Sequence, residues 1–248
     1  TFNEAWKYVF GSLDSFLLRK NEKRKYDNEK YIESLTEKIE QIPVENIQEP
    51  KMSILGPTLE ASKFYIEEDE IREMFSNLIE EEDIREIFAS LLAASFDSSK
   101  SSLLHHSFVE IIKQLSPLDA RNLKFIAQRR RCPVAKYLLE FETGGQSLLK
   151  PLIFIPHDSE IESSLDNSMF DFDRNASSIT NLERLGLIKV DFTTWLSKKE
   201  KYTLLESNPL VTAYKTSYIN ANNNEKFHVE KGIIDITPLG EDFYNVCL

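Results

Sequence analysis

Seven glycines and nine prolines are the only strong turn-formers in this chain of 248 residues. A many-stranded sandwich or barrel needs turn signals roughly every 8–12 residues. So sparse a supply directs the chain toward a mainly helical fold. The apolar fraction of 41% is enough for a core, and the length suits one large domain or two small ones.

Helical spacing is plain from the start. Phe2, Trp6, Val9, Phe10, Leu13, Phe16 and Leu17 share one face, followed by a basic run from Arg19 to Lys25. Such a helix could lie on an anionic membrane, but Asn3, Glu4 and Asp14 on its polar face favour packing on the fold or on a partner. A second pattern, Tyr31, Leu35, Ile39 and Ile42, ends at Pro43, and Pro50 deepens the break. Glu70–Leu78 is then echoed by Asp83–Leu91, 13 positions later. That offset turns the second copy by about 220° on a continuous helix, so a bend is expected at Ile79–Glu82. The region is strongly acidic, with Arg72 and Arg85 as its counter-charges; it reads as a solvated face or as a docking surface for a basic partner.

The stretch Leu91–Asp97 followed by His106–Ala120 reads as two helices around a polar loop. Ser116-Pro117 supplies an N-cap and a proline at the first helical position of a further helix, which Arg129–Arg131 closes at its negative dipole end. Leu148–Ile155 looks partly extended. Ser177–Ile188 reads as a helix ending at Gly186 and a strand starting at Leu187. A polar excursion follows, and Gly232–Thr237 returns as a strand before Pro238 opens a last helix. Helix, strand, wing, strand is the order of a winged helix. The expectation is therefore a mainly α protein. A helical region at 1–104, acidic in its centre, precedes a winged-helix-like α+β domain at 105–248, which has a small antiparallel sheet and an insertion at about 132–172.

Ile42-Pro43, Pro57–Glu60, Ile84–Ala93, Asp97, His106–Ala120, Asn181–Ile188 and Ile236–Gly240 with Phe243 and Cys247 form an ordered set. Together, over roughly residues 40–248, they resemble the abortive-infection alpha (Abi-alpha) family of bacterial domains of unknown function. The family's His-Pro-Ser-Phe is His106-Ser107-Phe108 here, without the proline. The resemblance implies a link to bacterial defence against phage and carries over no catalytic residues.

The residues themselves offer little chemistry. Asp97 and His106 flank the interhelical loop and are expected to form a structural hydrogen-bonded pair, since no metal-binding or catalytic spacing accompanies them. Gly144-Gly145 lacks the lysine and serine of a phosphate loop. Cys132 and Cys247 are isolated thiols that suit a reducing cytoplasm and build neither a disulfide framework nor a zinc site. No enzyme, metal or cofactor is expected. No apolar run reaches membrane-spanning length and no signal peptide is visible, while the initial Thr points to a trimmed or processed chain and leaves an upstream anchor open.

A formal charge of −11 repels polyanions. Even so, Arg129, Arg130, Arg131, Arg184, Lys198, Lys199 and Lys201 form the set that a nucleic-acid-binding winged helix would use. The principal expectation is a noncatalytic interaction module in antiphage defence whose partner is a host or phage protein; nucleic-acid binding is the alternative, and a homo-oligomer stays open.

Overall fold

A computed structural model of the chain describes residues 33–48, 82–142, 144–156, 171–219 and 225–248. The aromatic helix at 2–17 and the acidic echo up to residue 81, with its expected bend, lie outside them. The chain divides into two compact units.

The described part of the first unit comprises residues 33–48, 82–117 and 242–248. Helix α1 (33–40) buries Leu35 and Ile39, two of the apolar positions marked by the sequence. Its Ser34 hydroxyl and Lys38 ammonium both reach Glu86, each at 2.7 Å. Glu86 belongs to α2 (Glu82–Ser95), whose Ile84, Ile87, Phe88, Leu91 and Leu92 are buried. Beyond it, Asp97 caps a 3-10 turn (Ser98–Lys100), and α3 (Phe108–Ile112) buries four of its five residues. Phe108 meets Phe243 edge-on, with centroids 5.1 Å apart. Such aromatic pairs add stabilisation beyond the area they bury.

The second unit, Leu118–Glu241, holds the sheet. Helix α4 (Pro117–Arg129) precedes β1 (Arg131–Phe141) and β2 (Gln146–Ile153). Helix α5 (Phe172–Arg184) leads into β3 (Ile188–Asp191). A 3-10 turn (Lys199–Tyr202), α6 (Thr203–Ser207) and α7 (Pro209–Ile219) follow, then β4 (Glu225–Ile236) and α8 (Pro238–Cys247). The order across the sheet is β2-β1-β4-β3, antiparallel throughout.

The stretch 132–172, read from sequence as an insertion, supplies β1, which pairs with β4 from Arg131↔Asp235 to Phe141↔Glu225. β1 is covered on both faces: Cys132, Val134 and Leu138 are buried on one, Ala135, Tyr137 and Leu139 on the other. The apolar residues therefore do not alternate, which conceals a strand from a periodicity reading. The polar excursion expected after β3 likewise contains two helices. They pack on the sheet through a core of Ala135, Tyr137, Ile153, Ile155, Tyr202, Leu205 and Val211.

The α5–β3 turn follows the residues closely. Gly186 sits at φ 75°, with its N–H on the Glu183 carbonyl and that of Leu187 on Leu182. This is a Schellman closure, in which glycine takes the left-handed position without steric cost. The Thr237 hydroxyl donates to the Gly186 carbonyl at 2.6 Å and accepts the Gly240 N–H, so it fastens this turn while capping α8.

Candidate functional site

The most exposed large aromatic side chain among the described residues lies just beyond β3. Asp191 ends that strand, and its carboxylate accepts the Thr193 N–H at 2.7 Å and the Thr193 hydroxyl at 2.6 Å, with the Thr194 hydroxyl at 3.3 Å. These bonds, the Thr193 hydroxyl foremost, hold the Asp191 carboxyl below its ordinary pKa. The Phe192 ring crosses Gly232 so closely that a Cβ there would lie 2.6 Å from it. The Lys136 ammonium sits 3.8 Å from the centroid of the same ring.

The other end of the loop is fixed too. Leu196 packs against the core, and its N–H donates to the Tyr202 hydroxyl at 3.0 Å. That hydroxyl donates in turn to the Gly232 carbonyl at 2.8 Å, and burial raises its pKa. Between these anchors Trp195 stands 67% exposed, with exposed Ser197, Lys198, Lys199 and Glu200 after it. An indole on a loop fixed in this way presents a broad apolar body with one N–H donor.

The basic residues singled out by sequence fall at separate places. Arg129 lays its guanidinium 3.7 Å from the Phe125 centroid and donates to the Phe125 carbonyl. Arg130 turns the chain at φ 61° and faces Glu241 at 3.9 Å. Arg131 is ion-paired with its cross-strand neighbour Asp235 at 2.7 Å. Arg184 donates twice to the Asn181 side chain. Lys198 and Lys199 follow Trp195 in sequence and are exposed, and Lys199 and the half-buried Lys201 belong to the 3-10 turn. Of the set, the lysines share the loop that carries the indole.

Asp97 and His106, the expected pair, are not joined. Asp97 accepts from the N–H and hydroxyl of Ser99 at 2.9 and 2.6 Å, because a carboxylate at the start of a turn satisfies the nearest free donors first. His106 is exposed and stacks on His105, with centroids 4.2 Å apart. His105 in turn contacts the Ser107 hydroxyl at 2.7 Å. Both cysteines are buried and outside any disulfide, and burial pushes the Cys247 pKa well up. Among the described residues no group of three or more His, Cys, Asp or Glu side chains is arranged to hold a metal, and no helix is long and apolar enough to cross a membrane.

Trp195 was not singled out by the sequence reading. The signal was present: Asp191 followed two positions later by Thr193 is the pattern of a side-chain-stapled turn, directly before the lone tryptophan of the excursion.

Fold and site together define a mainly helical protein with a small antiparallel four-stranded sheet and a preorganised, tryptophan-bearing surface loop. The chain belongs to the family described as Abortive infection alpha, which it matches over residues 23–81 and 79–247. No curated protein matches it. Among solved structures it is similar to the uncharacterized protein from the hydrocarbon-degrading marine bacterium Alcanivorax borkumensis SK2, at 13% identity and a TM-score of 0.34, with 60% of this chain and 94% of that one covered.

Proposed function

We propose that the chain is a noncatalytic interaction module of bacterial antiphage defence, of the abortive-infection type, that binds a host or phage protein through the loop bearing Trp195. Family membership supports the defence setting. The observation that carries the mode of action is the exposed indole, held between the Asp191 turn and the Leu196–Tyr202 hydrogen bond. Tryptophan is enriched among the residues that dominate binding energy, and a fixed loop loses little entropy on binding.

We read the second unit as winged-helix-like: α5, the Gly186 turn, β3, a long excursion and β4 follow in order, with β4 between β1 and β3. In this reading the excursion is the wing, enlarged by α6 and α7. A protein partner is favoured over nucleic acid, because Arg131 and Arg184 already serve internal contacts and the chain carries a charge of −11. The cytoplasm suits two cysteines that form no disulfide.

Copurification tests the proposal. Tagged wild-type chain from phage-infected and uninfected cells should retain a stoichiometric protein that Trp195→Ala loses while remaining folded. Nuclease-sensitive nucleic acid in place of that protein would contradict it.

A further inference from the structure

We infer that the Trp195 loop recognises an acidic segment of its partner protein that also carries an apolar side chain, the apolar group lying on the indole and carboxylates meeting Lys198 and Lys199. The inference rests on the interaction reading and adds the chemistry of the partner. Its basis is local charge. The run Lys198-Lys199-Glu200-Lys201 holds three lysines against one glutamate in a chain whose formal charge is −11. Lys198 and Lys199 are exposed, and Leu196 anchors the segment to the core just before them. The nearby acid Asp191 is engaged by the hydroxyls of Thr193 and Thr194.

A polyanion of uniform charge, whether nucleic acid or an anionic lipid surface, meets repulsion from the whole chain. A short acidic stretch within a protein presents its charge only at the loop. Charge complementarity of this kind chooses among partners, while an aromatic side chain that becomes covered on binding supplies affinity.

The test uses the full chain with Trp6→Phe, which leaves Trp195 the sole tryptophan. Its fluorescence is titrated with a Glu-rich peptide carrying leucines, the same peptide with Lys for Glu, oligothymidylate, and phosphatidylserine vesicles. Binding of the acidic peptide, weakened about tenfold by Lys198→Glu with Lys199→Glu, is the expected result. Preference for any other probe, no binding at all, or indifference to the double substitution overturns the inference. Copurification separates the two levels. A cellular partner lost with Trp195→Ala but kept by the lysine double variant removes only the acidic preference. A partner kept by Trp195→Ala removes the interaction reading as well.

Discussion

The side chain of Asn208 closes one helix and opens the next. Its amide nitrogen donates to the Leu204 carbonyl at 2.8 Å and to the Tyr137 hydroxyl at 2.6 Å, while its oxygen accepts the N–H groups of Leu210 and Val211. Pro209 sits at the first helical position, where no N–H is needed. Asn208→Ala should cost about 1–2 kcal/mol for the cap alone, and more for the Tyr137 hydroxyl it leaves short of a donor, read as a lower denaturant midpoint. Tyr137 adds a pH test. Burial pushes its pKa up to about 12, so the folded state holds the phenolic proton more tightly than the unfolded state. Its contribution is fully present below the ordinary phenol range and falls as pH rises from there toward 12. Alkaline unfolding should therefore be blunted in Tyr137→Phe, once that variant's lower starting stability is subtracted. Asn208-Pro209 is a helix-start signal and Asp191 with Thr193 a turn signal, both passed over when the stretch was read as a polar excursion. What the sequence does not carry is the exposure of Trp195, because apolar side chains normally go inward and only the packing around Phe192 and Leu196 leaves this one out.

Helices α4 and α5 meet along a polar seam. The Asn122 amide donates to the Ser178 hydroxyl at 3.0 Å and to the Asn175 side-chain oxygen at 3.3 Å, and Asn181 donates to Asp119 at 3.0 Å. Asp119, Asn122, Asn175 and Ser178 are all buried. Buried polar groups stabilise only when partnered, so Asn122→Ala should lower stability by about 1–3 kcal/mol, an effect that a urea titration would detect. A neutral result would show that water replaces the amide. The elements of this unit differ in how far they could be read. α5, β3 and α8 were legible because Gly186 and Thr237-Pro238 mark their ends in sequence. β1 was not: it carries Pro133, a residue that normally argues against a central strand, and its two covered faces erase the alternation. Gly232 had no visible reason before Phe192 was seen crossing it; Gly232→Ala should destabilise β4 and loosen the Trp195 loop, seen as raised hydrogen exchange at Leu196.

For the whole molecule, composition limits the chain to a mainly helical protein, and the residues that carry the family resemblance are spread through both units. Many of them are caps, turns and core positions: Asp97 caps a turn, Gly186 and Thr237 fasten a junction, and Phe243 fills a core. Family likeness was legible from sequence because these positions repeat a fold. The Trp195 loop was not, because it lies between the residues that carry the resemblance, on a surface whose side chains folding constrains less. On this account function resides in surface chemistry displayed on the scaffold, and the scaffold supplies rigidity.

Phage plating tests that claim most directly, with cells producing wild type, Trp195→Ala, or the double variant His105→Ala with Ser107→Ala at equal levels. Wild type and the double variant should reduce plaque formation alike, while Trp195→Ala, folded and equally abundant, should give no protection. Full protection by Trp195→Ala, or its loss in the His105 and Ser107 variant at unchanged stability, would contradict it.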